Sequence, residues 1–374
     1  MKNSDCLTSS IAIMKYTGVW LPDNLTDRGK TAYVAFRWIN QTVMFFFIIL
    51  AEIGYVYKFR HDFELVVDAA VLLLSHLVQA VKVMTIIIRQ ERIKRLINLG
   101  DGPAFTHTQP ELKTHLEQAI KLTRLVGHMV LCSAGITSVF WSMVPALKEV
   151  LTPPLKIAYP FDISGLYIFA VIYVYSSLSV IMCGVGDAAE NFLVSGVLTI
   201  ASTQVGLLHE QLLDIQSDGK DNHRKAVLCV KFHQRIIEYV EEVAQIFGLP
   251  IFCQCVTSSI VVCMTVYKIT ITREPIEMVT IIFYLVCVMM ELLMYCYPAD
   301  VLLNKSLQVA DAAYPVWSGD IETAQVLLLT TLRAQRPLVV DAGGMFRISL
   351  PIAAAVVQTS YTYYALLQQT LNKG

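Results

Sequence analysis

The sequence predicts an all-α fold, a seven-transmembrane-helix membrane protein, and three features carry that expectation. Of its 374 residues, 55% are hydrophobic and 16% charged, with mean hydropathy +0.55; a soluble domain is nearer about half apolar and about a quarter charged. Seven stretches are apolar over the ~20 residues that a helix needs to cross ~30 Å of hydrocarbon. They fall at 39–57, 65–88, 125–147, 165–189, 248–270, 276–297 and 346–370. The connections between them alternate between short and long, which marks two chemically different sides.

Lysine and arginine give the orientation, because cytoplasmic loops retain positive charge. The N-terminal segment and the connections 89–124, 190–247 and 298–345, with their edges, hold 21 such residues, against seven on the other side. The N-terminus is therefore expected in the cytoplasm and the C-terminus outside. MKNSDCLTSSIAIMKYTG has no sustained apolar core before a cleavage site, so no secretory signal is expected. Net charge is −1, which gives no basic excess for nucleic acid. The nine cysteines sit mostly within apolar stretches, as Cys253, Cys255 and Cys263 do, and read as small buried residues with no disulfide framework.

The three long connections exceed simple turns and should be folded. Leu193, Val197, Ile200, Leu208, Leu212 and Ile215 keep a helical period, and Val227, Val230, Ile237, Val240, Val243 and Ile246 resume it after SDGKDN. Helices this amphipathic outside a membrane must bury one face, so the spans are expected to extend inward and pack as a bundle. ETAQVLLLTTLRAQRPL gives a further short helix stopped before Pro337, and Asp341-Ala-Gly-Gly344 reads as a flexible joint. The expected divisions are a cytoplasmic segment 1–38, helices with inner extensions 39–297, assembly helices 298–345 and a last helix 346–374.

No phosphate loop, HExxH or GxSxG occurs. His107 with His115, or Cys253 with Cys255, lacks a full ligand set, so neither a metal, a cofactor nor an enzyme is expected. Intramembrane ionisable residues are functional suspects because they are costly against lipid. In span two, Asp68, Ser75, Gln79 and Lys82 join Leu72 on one helical face. That stripe either bonds neighbouring helices or borders a cavity. Glu52, Asp187, Glu190 and Glu291 lie near span ends, where structural roles are expected. Phe140 and Trp141, Tyr167, Phe169 and Tyr173, and Phe283 and Tyr284 cluster in the outer halves of spans three, four and six. They form either an interfacial belt or, with hydroxyls from Ser75, Thr137 and Ser177, an apolar pocket for a small uncharged organic molecule. In the last helix Thr359, Thr362, Leu366, Gln369 and Thr370 share one face, and Val356, Val357, Ala365 and Leu367 lie largely elsewhere. A neutral polar strip broken by one leucine suits a water-filled conduit with an apolar constriction, and equally suits helix packing. One helix cannot enclose a pore, so the conduit reading requires an oligomer.

Tyr295-Cys296, Ala312-Ala313-Tyr314 with Trp317, Arg333-Ala-Gln-Arg-Pro337-Leu338, Ala342-Gly343-Gly344 and Ser360-Tyr-Thr-Tyr363 together resemble the C-terminal third of the insect odorant receptors. Pro298-Ala299-Asp300 and Thr362 depart from that family's usual Gly-Asn pair and second serine. The resemblance implies an odorant-gated, nonselective cation channel in the plasma membrane of olfactory sensory neurons. It also implies a heterotetramer of odour-tuning and common co-receptor subunits, with a small volatile odorant and membrane lipid as the other partners. The co-receptor carries a large insertion between spans four and five for which this chain has no room, so the chain resembles a tuning subunit. Carried over by motif, the constriction falls at Leu366, with Thr362, Gln369 and Thr370 facing the pore. The family's pocket lies between spans two, three, four and six, which implies Val71, Leu72, Ser75, Thr137, Phe140, Trp141, Tyr173, Val174, Ser177 and Tyr284 as ligand contacts. A gustatory receptor would end on a TY-x5-QF signature, incomplete here because Thr370 follows Gln369. A G-protein-coupled receptor is opposed by the charge count and by missing DRY-like and NPxxY-like runs, and a transporter by the lack of an internal repeat.

Overall fold

The computed structural model describes residues 2–106, 110–147, 152–159, 161, 163, 165–218, 222–313 and 321–371, with the side chains of 216–218, 370 and 371 excluded. His107, Tyr314, Trp317 and the side chain of Thr370 therefore lie outside the described residues. Nearly everything described is helical: α1 (Thr8–Tyr16), α2 (Asp27–Lys58), α3 (Phe63–Gly100), α4 (Pro110–Met143), α5 (Leu166–Asp218), α6 (Asn222–Ile271), α7 (Pro275–Ala313), α8 (Ile321–Ala334) and α9 (Leu350–Leu371). Among the described residues, six helices, α2 to α7, are long and apolar enough to cross a membrane. A two-stranded antiparallel ladder, β1 (Asp341–Ala342) with β2 (Phe346–Arg347), precedes α9.

Large apolar side chains recur on the outer faces of these helices at steps of three or four. On α5 the series is Tyr167, Val171, Val174 and Leu178, and on α7 it is Ile276, Val279, Ile282, Phe283, Val286 and Met290, all exposed. So broad an apolar belt has no place in water and fits hydrocarbon. Beyond the belt, α3, α5, α6 and α7 run on as unbroken helices, and a core forms there. Phe105, Phe192, Tyr239 and Phe247 are among its largest buried side chains. Phe105 packs on Phe232 and Tyr239 with ring centroids 5.9 and 5.5 Å away. The helical periods in 190–247 are thus continuous with the spans, and α8 completes the bundle by packing on α6 and α7.

The N-terminal segment is built into this bundle. Leu7 and Met14 are fully buried, and Asn3 Nδ2 donates to the Gly100 carbonyl at 2.5 Å. Arg124 Nη2 donates to the Asp5 carbonyl at 2.7 Å. Arg37 Nε reaches the Gly18 carbonyl at 2.8 Å, and its Nη2 reaches Gln90 Oε1 at 3.0 Å.

Two local departures from regular helix have identifiable causes. Pro250 inside α6 has no N–H to give the Ile246 carbonyl, and Arg89 Nη1 of α3 donates to that oxygen at 3.1 Å. In α2, Thr42–Phe46 forms a π turn. Such a turn leaves carbonyls poorly served, and side chains of α5 answer two of them: Tyr175 Oη donates to the Val43 carbonyl and Cys183 Sγ to that of Met44 at 3.8 Å.

The joint before α9 differs from the flexible link that its glycines suggest. Gly343 (φ 57°) and Gly344 (φ 75°) turn a short hairpin, a conformation open to glycine at little cost. Gly343 N–H donates to the Gly248 carbonyl at 3.0 Å. A Cβ on Gly248 would stand 2.8 Å from the Asp341 carbonyl oxygen, so the hairpin lies directly on the α6 backbone.

His233 reports on the bundle core. It is 5% exposed, and burial, aided by the Arg333 charge, pushes its imidazole down to about 4. An unfolded histidine takes its proton near about 6.5. Between these values acid therefore favours the opened state, and below the lower one the loss levels off at about 3 kcal/mol. Protection factors of the α6 and α8 amides, which remove the intrinsic pH dependence of exchange, should fall between neutral pH and pH ~5, and in His233→Gln that fall should shrink; an unchanged pH dependence in the variant would assign the effect to other groups.

Candidate functional site

Within the apolar belt, α3 to α7 line a cavity of about 120 Å³. A designed cavity of about 150 Å³ takes benzene, so this one suits a molecule of about six non-hydrogen atoms. It exists because small residues hold the helices close while larger ones frame the gap. A Cβ on Gly184 of α5 would meet Ser138 Oγ of α4 at 2.2 Å, which fixes the approach of those two helices. Leu72, Leu155, Val261 and Val288 give the cavity apolar walls.

Trp141 forms the wall toward the short-loop end. Its Nε1 donates to the Pro154 carbonyl at 3.2 Å, and its ring lies 5.5 Å from that of Tyr284. Behind it is a second recess of about 360 Å³ that Trp141 also lines. There Lys268 pairs with Asp68 at 2.8 Å and stands 5.8 Å from the Trp141 ring centre, within cation–π range. The indole is thus a partition held from both sides.

The hydroxyls inside are largely paired with one another and with helix carbonyls. Ser75 Oγ and Tyr284 Oη are 2.7 Å apart and both reach the Val71 carbonyl. Thr137 Oγ1 donates to the Ser133 carbonyl at 2.9 Å and lies 3.3 Å from Cys287 Sγ.

The opposite end of the cavity is charged. Lys82 Nζ donates to Asp187 Oδ1 and to Asn191 Oδ1, both at 2.7 Å, and Asn191 Nδ2 returns to Asp187 Oδ2 at 2.8 Å. Tyr295 Oη also donates to Asn191 Oδ1. Gln254 Nε2 donates to Glu291 Oε2 at 3.1 Å and to Ser258 Oγ at 3.2 Å. His76, paired with buried Glu52 at 2.9 Å, completes the floor. Among the described residues, no group of three or more His, Cys, Asp or Glu is arranged to hold a metal ion.

Of the ligand contacts expected from sequence, Leu72, Ser75, Thr137, Trp141 and Tyr284 line this cavity. Val71 packs just behind it with Val261, Val262 and Val288. Phe140 is 46% exposed and stacks on Phe283 at 6.0 Å, on the outside of the belt. Val174 is 58% exposed. Tyr173 gives its hydroxyl to the Ser142 carbonyl, and Ser177 Oγ is buried without a partner among the described residues; neither lines the cavity. Contacts that sequence reasoning missed come from α6, where Gln254, Thr257, Ser258 and Val261 form the fifth wall. Their spacing of three, one and three residues was the available signal. Asp187 and Glu291, assigned only structural roles, face the cavity.

On α9 the buried series is Ala353, Val356 and Ser360, with Ser360 Oγ donating to the Ser259 carbonyl of α6 at 2.9 Å. Thr362, Leu366 and Gln369 lie on the exposed face, Leu366 at 55%. Thr359, grouped with them by sequence, is half-buried.

Comparison with known proteins assigns the architecture. A family model described as "7tm Odorant receptor" matches residues 62–361, which include every helix around the cavity. Odorant receptor Or1 of Anopheles gambiae is 20% identical over 399 aligned positions, covering 97% of this chain and 95% of that one. Odorant receptor 22b of Drosophila melanogaster is 25% identical over 178 residues, 46% of this chain and 45% of that receptor. Among solved structures, the fold matches the insect olfactory receptor OR5 from Machilis hrabei in complex with eugenol, with TM-score 0.83, 17% identity and 97% of each chain covered. OR5 described without eugenol gives TM-score 0.82 at 18% identity. With four-fifths of its length inside the family model and its helices superposing on a solved olfactory receptor, the chain belongs to the insect odorant-receptor family.

Proposed function

We propose that this chain is the odorant-binding subunit of a ligand-gated, nonselective cation channel, assembled as a heterotetramer with co-receptor subunits in the plasma membrane of olfactory sensory neurons. The observation that carries this reading is the cavity of about 120 Å³ lined by five helices of a family-matched bundle. Its occupant is a small volatile organic molecule held against Leu72, Ser75, Thr137, Trp141 and Tyr284.

In this reading the chain crosses the membrane seven times, α9 being the seventh span, with the N-terminus and the helical bundle in the cytoplasm. The excess of lysine and arginine at the bundle end supports that orientation. The exposed face of α9 lines the pore: Thr362 and Gln369 meet water and Leu366 forms the apolar constriction, with Thr370 beyond it. A leucine ring excludes water when closed, and its displacement admits hydrated cations beside the hydroxyl and amide groups. Residues 298–345 hold the subunits together.

Recording odorant-evoked current from cells expressing this chain with and without a co-receptor tests the assembly. Current should require both; robust odorant current from this chain alone would overturn the heteromeric reading. Trp141→Ala removes the indole partition and its contact area, and should weaken odorant sensitivity by about ten- to a hundredfold, or ~1–3 kcal/mol. Unchanged dose–response curves at equal surface expression would return Trp141 to a packing role. Leu366→Ser should raise resting current several-fold, and Gln369→Glu should alter calcium permeation or block. A double variant with wild-type resting current and calcium behaviour, in an assembled complex, would remove this face of α9 from the pore.

A further inference from the structure

The cavity floor holds more acid than base. Asp187 and Glu291 both face the cavity and interact directly with each other, and Glu291 is otherwise held by Gln254 Nε2 at 3.1 Å. Among the described residues Lys82 is the lone lysine or arginine on the lining, and its ammonium is already divided between Asp187 and Asn191. His76 does not correct the imbalance, because it is matched to its own carboxylate, Glu52. One turn along α5, Glu190 is 1% exposed, and neither carboxyl oxygen has a hydrogen-bond partner among the described residues. Asp187 and Glu291 thus face the cavity, and Glu190 lies one turn away on the lining of a neighbouring recess, all within the field of one lysine. A buried charge that lacks a counter-charge is expensive. Carboxyls in excess of the lysine therefore rest there as neutral acids, and a ligand that brings a cation and N–H donors to this end of an otherwise apolar chamber would let Glu291 ionise beside it.

Resting on the reading of this cavity as the odorant site, we propose that its preferred ligand class is a small primary amine, whose ammonium head sits against Glu291 and Asp187 while its hydrocarbon body fills the space under Trp141 and Tyr284. An ammonium group supplies three donors and the missing positive charge. Charge-assisted hydrogen bonds to carboxylates are about twice as strong as neutral ones. An alcohol brings one donor and no charge, and an aldehyde brings only an acceptor to a floor already rich in acceptors. Both leave the acid surplus in place. The opposite end of the cavity has no such bias, since the Ser75 and Tyr284 hydroxyls bond to each other.

The test uses four probes of nearly equal size, 3-methylbutan-1-amine, 3-methylbutan-1-ol, 3-methylbutanal and 2-methylpentane, on cells expressing the full chain with a co-receptor. The amine should activate at concentrations at least about tenfold lower than the alcohol or aldehyde. In Glu291→Gln the amine and alcohol should come to within about threefold of each other. Equal potency of amine and aldehyde on the wild-type complex overturns the inference whatever the variant does. If no probe evokes current, the channel reading is what fails, and thermal shift of the purified chain decides the ligand class separately. Stabilisation by the amine over the alcohol supports the inference, and equal or no stabilisation overturns it. Should Glu291→Gln fail to reach the surface, the wild-type panel and the thermal shift decide it alone.

Discussion

The node joining Lys82, Asp187, Asn191 and Tyr295 is the constraint on which the molecule is organised. Each member comes from a helix that is apolar on its outer face, and in hydrocarbon a lysine or aspartate can be tolerated only if paired. The pairing therefore fixes α3, α5 and α7 at one height and one rotation, because Lys82 must reach both Asp187 and Asn191 at 2.7 Å. Replacing such a node by well-packed apolar groups is often neutral in stability, whereas removing one partner is not. What it contributes is position. On one side of it the helices diverge around the cavity, and on the other they converge into the bundle built on Phe192, Tyr239 and Phe247.

That division explains why so much of the fold could be read from sequence and why the site was read only in part. Span positions depend on local hydropathy, and the helical periods of 190–247 state which faces must be buried; both are one-dimensional signals. The stripe of Asp68, Leu72, Ser75, Gln79 and Lys82 likewise lies on one helix; the last four face the cavity, whereas Asp68 lines the second recess and pairs with Lys268. Phe140 lies beside Trp141 yet faces outward, as Val174 does, and Tyr173 does not reach the cavity either. Direction about the helix axis is settled by tertiary neighbours, which one sequence does not display. Asp187 and Glu291 look like span-end residues until α5 and α7 continue as unbroken helices past them. Their meeting depends on a contact between helices about 100 residues apart in the chain. A pocket of hydroxyls alone suggested an uncharged occupant, whereas the structure has the hydroxyls already paired and the charged groups facing inward.

The last helix shows the same contrast between a face that the chain itself buries and a face that it leaves exposed. Ala353, Val356 and Ser360 bury one face of α9 against α6, and the opposite face carries an exposed leucine between polar groups. Lipid would leave the Gln369 amide poorly solvated, whereas the Thr362 hydroxyl is met by the Gln358 carbonyl at 3.0 Å, and bulk water would leave Leu366 exposed at a cost. A narrow aqueous lumen shared with other chains suits both.

The connection between cavity and α9 has a short physical path, and α6 is its common element. Gln254, Ser258 and Val261 of α6 form one wall of the cavity, and the carbonyl of the adjacent Ser259 receives the Ser360 hydroxyl of α9. At the other end of α9, the hairpin that launches it rests on Gly248 of the same helix with no room for even a methyl group between them. Between these two contacts lies Pro250, whose missing hydrogen bond already weakens the helical ladder locally. A packed interior transmits displacement because it has few voids to absorb it. A ligand that pushes on the α6 wall therefore acts on both attachment points of α9, whereas α4, which also borders the cavity, has no comparable contact with that helix. Whatever occupies the cavity, α6 is the main element through which its shape can reach α9, with α7, which borders the cavity and whose Asp300 accepts from the Leu350 N–H, as a second and lesser route.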